Sequence, residues 1–302
     1  MRTFLLAATA FLVTVPAARA QRDETLQRID TTFAFSKGGA VDLGQVSGEI
    51  VVTGWTRTDI KIYASIETGY LEASMTSSRV RVTAHSRRGR MGNSRYEVSV
   101  PVGTYVHAAS ISGDITVRGT AGEVSVNTVS GNIEVRDAAE RVELASVSGD
   151  ARASKLRGRI RAQSVSGDLT LDDVNGDLYA HSVSGELRVR GTLTGLEFES
   201  VSGDVTFVGD IRGDGSYTAN THSGDVRLTL PSNVGATLEL QTYSGEVRSA
   251  FPITLLPGEQ PLNRRNRRMR FTVNAGGPRF SLETFSGDII IERGAARAPK
   301  ED

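Results

Sequence analysis

The chain has 302 residues, with 35 Lys and Arg against 35 Asp and Glu, 38% hydrophobic residues, 32 glycines and no cysteine. A formal net charge of zero supplies no global field to draw nucleic acid or an anionic membrane. Without cysteine there is no disulfide, thiol nucleophile, zinc-thiolate centre or lipidated cysteine, so stability must come from burial.

Met1-Arg2 precede an apolar run from Phe4 to Val15, then Pro16 and the small-residue tail Ala18-Arg19-Ala20. A basic start, an apolar stretch too short to span a bilayer and an A-x-A ending predict a signal peptide over 1–20, cut between Ala20 and Gln21. The expectation is export, to the periplasm, the outer surface or the medium. Losing Arg2 and Arg19 leaves 33 basic and 35 acidic residues, still near neutral. No later segment is long and apolar enough to be a transmembrane helix. Residues 21–40 read as a lead-in, with the one plausible helix around Asp23 to Ile29.

From 41 to 105 the pattern is period two, in Ile60-Lys61-Ile62-Tyr63-Ala64, Val80-Arg81-Val82-Thr83 and Tyr96-Glu97-Val98-Ser99-Val100, which predicts strands. This stretch reads as an N-terminal β cap with hairpins and a flexible loop at Ser86-Arg87-Arg88-Gly89-Arg90, covering edges that an open end would leave unpaired. A separate domain is the alternative.

Residues 106–292 carry a repeat. Ser-Gly pairs have their serine at 47, 112, 130, 148, 166, 184, 202, 223, 244 and 286, at intervals from 112 onward of 18, 18, 18, 18, 18, 21, 21 and 42. The last interval reads as two coils, with a turn missing near residue 265. Each copy runs apolar-x-apolar-x-Ser/Thr-apolar-Ser-Gly-acid-apolar-x-apolar, as in Val142, Leu144, Ser146, Val147, Ala151 and Ala153. Two alternating stretches per period mean two short strands per coil, and a period near twenty marks a solenoid. The predicted fold is all-β: one domain over 41–292, a right-handed single-stranded parallel β-helix with 18–21-residue coils, the hand following from the crossover rule. Coils about 4.8 Å apart would align equivalent residues in ladders, and ten of them would make a rod of roughly 50 Å. Val129, Val147, Val165, Val183 and Val201 are expected as one inward ladder. Thr128, Ser146, Ser164, Ser182, Ser200, Thr221, Thr242 and Thr284 are expected as another. Residues 293–302 read as a disordered tail.

Two features are candidate sites. Gly113-Asp114, Gly131-Asn132, Gly149-Asp150, Gly167-Asp168, Gly185-Glu186 and Gly203-Asp204 form a turn ladder in which glycine fits where no Cβ would, and each acid caps its own turn. The alternative reading of the acids is a cation-binding edge. The densest charge, Arg264, Arg265, Arg267, Arg268 and Arg270, is the candidate anionic-ligand loop, suited to acidic polysaccharide, lipopolysaccharide or anionic lipid; a solvated loop without a partner is the bland reading. Neither a catalytic set nor a metal site or cofactor is implied: the acids recur in every coil, whereas an active site breaks the repeat, and His85, His107, His181 and His222 differ in phase.

The chain resembles the DUF4097 family of candidate adhesins, itself similar to the head domains of autotransporter adhesins. The resemblance rests on Val46-Ser47-Gly48-Glu49-Ile50 with Thr53-Gly54-Trp55, on Val100-Pro101-Val102-Gly103 leading into Ile111-Ser112-Gly113-Asp114, and on the central repeats. It continues through Leu230-Pro231, Tyr243-Ser244-Gly245-Glu246, Phe251-Pro252 and Gly276-Gly277 to Phe285-Ser286-Gly287-Asp288-Ile289. It implies a right-handed β-helix of the cell envelope and carries no catalytic or binding residues with it. The favoured role is a non-catalytic envelope or surface module that binds a polymer or an anionic component. The alternatives are an envelope-stress component acting through a protein partner and, remotely, a carbohydrate-active enzyme. Outward residues discriminate them: aromatics with paired acids favour sugar chemistry, a smooth apolar strip favours a protein partner, and the arginine run favours an anionic polymer.

Overall fold

The computed structural model describes residues 27–212, 215–252, 254–256 and 268–294. The cleavage pair Ala20 and Gln21, Arg264, Arg265 and Arg267, and residues 295–302 lie outside the described residues.

The described residues form strands and no helix. The first third holds β1 (Arg28–Ala34), β2 (Ala40–Gln45), β3 (Gly48–Trp55), β4 (Asp59–Ile66), β5 (Tyr70–Met75), β6 (Arg79–His85) and β7 (Ser94–Pro101). The repeats supply β8 (Tyr105–Ser110), β9 (Asp114–Arg118), β10 (Val124–Thr128), β11 (Ile133–Ala138) and β12 (Arg141–Ser146). Three longer strands follow, β13 (Ala151–Ser164), β14 (Leu169–Ser182) and β15 (Leu187–Ser200), each running through a corner into the next coil. Last come β16 (Val205–Ile211), β17 (Ser216–Ser223), β18 (Val226–Pro231), β19 (Ala236–Thr242), β20 (Val247–Ser249), β21 (Thr254–Leu255), β22 (Arg268–Val273), β23 (Arg279–Ser286) and β24 (Ile289–Gly294).

Period-two burial explains why these segments are strands. In β10, Val124, Val126 and Thr128 point inward while Ser125 and Asn127 meet solvent, and β-branched side chains suit that half-buried pleat. Each coil contributes one strand before its Ser-Gly turn and one after it. Both pair in parallel with their counterparts in the next coil, as in Val124 with Val142 and Ile133 with Ala151, partners 18 residues apart. Toward the C-terminus, Leu196 pairs with Tyr217 and Val205 with Val226, 21 apart. The enclosed core is aliphatic in the centre and gains Phe198, Phe207, Tyr217, Phe271 and Phe280 toward the C-terminal end.

The ends depart from a simple succession of coils. β2 and β3 stack in parallel on β8 and β9 on one side and on β6 and β7 on the other, so the first coil lies inside the stack and not at its end. Antiparallel β4–β7, β1–β4 and β5–β6 pairs complete that end. At the other end, β23 and β24 insert between β17–β18 and β19–β20, and β22 closes antiparallel on β19. The 42-residue interval is therefore not two coils in sequence: Ser286 stands between Ser223 and Ser244, because the chain leaves the stack after β20 and returns one coil earlier. The helix candidate is corrected where it can be seen, since Arg28 and Ile29 are extended in β1, held across Ser65 and Ala64.

Candidate functional site

Successive coils approach closest at the Ser-Gly corner. A Cβ built on Gly149 would lie 1.9 Å from the Gly131 carbonyl oxygen, and one on Gly131, Gly167, Gly185 or Gly203 would lie 2.0–2.1 Å from the carbonyl of the glycine one coil back. Only glycine permits that approach. Inside the corner, the buried Ser146 hydroxyl accepts the Gly149 N–H at 3.0 Å and donates to the Gly149 carbonyl at 2.5 Å. Thr128, Ser164, Ser182 and Ser200 accept the equivalent N–H in their coils. All eight residues of the expected serine and threonine ladder are buried.

The acids cap the next coil rather than their own turn. Asp114 accepts the Asn132 N–H at 2.8 Å, Asn132 that of Asp150 at 3.2 Å, Asp150 that of Asp168 at 3.1 Å and Asp168 that of Glu186 at 2.9 Å. The series resumes from Asp204 to Asp225 and runs on through Asp288 to Glu246, in the order of the stacked coils. Flanking arginines offset the row, Arg152 on Asp150 at 2.9 Å and Arg248 on Glu246 at 2.8 Å and Asp288 at 3.6 Å. Among the described residues, no three His, Asp or Glu side chains are arranged to hold a metal ion.

The valine ladder runs the other way from expectation. Val129, Val147, Val165 and Val201 are 41–46% exposed, Val183 is half-buried, and the row continues from Ile111 at one end to Phe285 and Tyr243 at the other. Strand alternation is the reason: the buried serine or threonine takes the inward position, so the next residue must point out. At the C-terminal end three rings stack in coil order. His222 lies 4.9 Å from Phe285 and Phe285 4.7 Å from Tyr243, with interplanar angles of 9° and 10°. The corner thus presents a largely apolar edge, interrupted by His222 between Val201 and Phe285 and bordered by the acid row.

A concavity lies on the outer face of the strands preceding the Ser-Gly turn. It encloses about 330 Å³ between Arg141, Arg159, Arg161, Asp177, Tyr179 and Glu197, over a floor of Gly195, Ser216 and Thr218. The register places Arg141 beside Arg159 and Arg159 beside Asp177, while Arg161 sits beside Tyr179 and Tyr179 beside Glu197. The Arg161 guanidinium lies 4.7 Å over the Tyr179 ring. The Tyr179 hydroxyl donates to Glu199 at 3.4 Å, and partial desolvation and the nearby carboxylates raise its pKa above the usual tyrosine value. This groove was not anticipated; the visible signal was Arg157-Gly158-Arg159-Ile160-Arg161, three basic residues in one short stretch.

Of the candidate anionic-ligand run, only Arg268 and Arg270 fall within the described residues. Both are on β22, opposite Gln241 and Glu239, and Arg268 is ion-paired to Glu239. The histidines do not converge: His85 pairs with Glu72 at 2.9 Å, His181 sits 3.6 Å from Glu199 and His222 belongs to the ring stack.

A family model described as Toastrack DUF4097 matches residues 104–209 and 181–292, more than half of the chain. The chain belongs to the Toastrack DUF4097 family. The matched Toastrack segments span the central repeats and inserted β23 and reach into β24. Three solved structures are similar to this Toastrack chain. A candidate cell adhesion protein from Clostridium sporogenes ATCC 15579 is 9% identical, with 88% of this chain and 100% of that one covered and a TM-score of 0.28. A candidate adhesin from Bacteroides fragilis NCTC 9343 is 12% identical, with 88% and 97% covered and a TM-score of 0.32. A candidate lipid-binding protein from Parabacteroides distasonis ATCC 8503 is 13% identical, with 90% and 97% covered and a TM-score of 0.34. The search of curated proteins gives no match.

Proposed function

We propose that this Toastrack chain is an exported, non-catalytic, adhesin-like module of the cell envelope or surface. In this reading the signal peptide is removed after Ala20, residues 41–292 form one right-handed solenoid with an N-terminal β cap over 41–105, and the Ser-Gly corner is the contact surface. The observation that carries it is the exposed row from Ile111 through Val129, Val147, Val165 and Val201 to Phe285 and Tyr243. A water-facing corner gains nothing from an apolar side chain in nearly every coil, and extended exposed apolar surface marks a site of contact. From Ile111 to Val201 the row is smooth and aliphatic, with rings confined to its C-terminal end, and it is bordered by acids, which favours another envelope protein with a basic-rimmed apolar surface over a polysaccharide along this aliphatic part. That is the chemistry of the partner-contacting alternative.

The test uses the mature chain from Gln21 onward, with a photo-crosslinking residue placed at Val147 or, as control, at outward Thr116. Candidate envelope proteins, peptidoglycan, lipopolysaccharide and anionic vesicles are then compared as ligands. A discrete protein adduct at Val147, absent at Thr116 and lost when Val129 and Val165 are changed to serine, is the expected result. Binding only to polymer or vesicles, unaffected by those changes but lost when Arg264, Arg265 and Arg267 become alanine, would overturn the corner reading in favour of an anionic ligand.

A further inference from the structure

The outer-face groove is a second surface, independent of the corner. Most outward arginines on the repeat strands have carboxylate partners: Arg118 and Arg136 reach Glu134, Arg152 reaches Asp150, Arg188 reaches Glu186 and Arg227 reaches Glu292. Arg141 also has one, Glu143 at 3.4 Å. Arg159 and Arg161 have no carboxylate within 4.0 Å among the described residues, although Asp177 is the register neighbour of Arg159 and Glu143 that of Arg161. Arg159 is also stacked directly beside Arg141, where two like charges on adjacent strands repel. Two exposed guanidinium groups, each with free donors in a planar fork, thus line one wall of the hollow.

The remaining walls narrow the choice of ligand. Gly195 contributes no side chain and Ser216 and Thr218 are short, so the floor is open over two coils. Asp177 and Glu197 offer acceptors for hydroxyl groups, while their charge opposes a phosphate-rich polyanion lying across the whole groove. Its volume of about 330 Å³ is that of a small-ligand site. A ligand that is both polyhydroxylated and singly anionic per unit satisfies both sets of groups. We propose that this groove binds an acidic saccharide, with a hexuronate carboxylate on Arg159 and Arg161 and ring hydroxyls on Asp177 and Glu197. Tyr179 positions Arg161 by accepting its guanidinium against the ring, and Glu199 holds Tyr179 in place.

The experiment is titration calorimetry of the mature chain with a hexuronic-acid disaccharide, its carboxyl-reduced neutral counterpart and inorganic sulfate. Arg159→Gln, Arg161→Gln and, as control, Arg152→Gln outside the groove are measured alongside. Saturable hexuronate binding is expected, weakened at least tenfold by either groove change and by carboxyl reduction, and unchanged by Arg152→Gln. Absence of saturable hexuronate binding, or equal affinity in an Arg159→Gln/Arg161→Gln double variant that unfolds at the wild-type temperature, would overturn the proposal. Sulfate binding as strong as the disaccharide would overturn its saccharide part and leave a simple anion site. Serine changes at Val129 and Val165 leave this binding intact, so the groove and the corner fail or stand separately.

Discussion

The Ser146 hydroxyl and the Gly149 backbone satisfy each other twice within one buried turn, the hydroxyl accepting the N–H at 3.0 Å and donating to the carbonyl at 2.5 Å. Removing the hydroxyl takes a partner from two backbone groups in a buried corner. Ser146→Ala should therefore cost about 1–3 kcal/mol in denaturant unfolding. Gly149→Ala should cost about as much or more, because its Cβ would meet the Gly131 carbonyl at 1.9 Å and force the coils apart. Gly44 is the matched control: its added Cβ would touch Thr83 at an ordinary 3.5 Å, so Gly44→Ala should stay within about 1 kcal/mol of wild type.

The acid row distinguishes charge from hydrogen bonding. Asn132 already takes the place of an aspartate, accepting the Asp150 N–H at 3.2 Å. Asp150→Asn should therefore be nearly neutral, whereas Asp150→Ala frees the Asp168 N–H and should lose about 1 kcal/mol. Its exposed ion pair with Arg152 adds little. The melting temperature should not respond to millimolar calcium; a rise abolished by Asp150→Asn would restore the cation-edge reading.

Tyr96 sets an alkaline limit. Its ring is buried, its hydroxyl donates to the Gly44 carbonyl at 3.0 Å, and desolvation raises its pKa above the ordinary tyrosine value. A raised folded pKa means that the unfolded chain releases this proton first. The contribution is whole below about pH 10 and is lost above it, at up to about 1.4 kcal/mol per pH unit. Urea unfolding at pH 8, 10 and 11 should show that fall. Tyr96→Phe should remove this part of the slope while lowering stability at pH 8 through loss of the buried hydrogen bond to Gly44.

Inward and outward positions of one coil should answer differently to truncation. Leu144 is buried and Val147 is 41% exposed, three residues apart. Leu144→Ala should cost about 2–5 kcal/mol by leaving a cavity. Val147→Ser should cost less than about 1 kcal/mol and act on partner binding instead. Comparable losses in the two variants would mean that the valine row is structural.

The Ser-Gly pitch located the turns, the two strands per coil and the buried serine and threonine ladder, because each of those features is rebuilt in every coil from the same local residues. The direction of Val147 was missed when apolar character was allowed to outweigh alternation: once Ser146 is inside, its neighbour must be outside. The spatial place of Ser286 left no local mark, since a strand that inserts between older coils has the same alternation as one that extends the stack. The groove escaped because its decisive feature is a missing side chain at Gly195 set against Arg141 and Arg159 from other coils, a juxtaposition that exists only after stacking.

The inserted end strands also set an order of assembly. Coils from Val124 to Ile211 stack on immediate sequence neighbours, so they can form as they are made, in the manner of short-range structure that folds quickly. The segment Ala40–Trp55 finds its inner neighbour only after residue 105 is available, and Ala236–Ser249 is separated from the growing stack by a slot that only residues 279–294 can fill. Such a chain matures from its middle outward, and its C-terminal coils stay unsealed until residues 279–294 have been made. A product cut short before residue 279 would therefore leave the facing strands of β17–β18 and β19–β20 unpaired, as a ready mark of incompleteness.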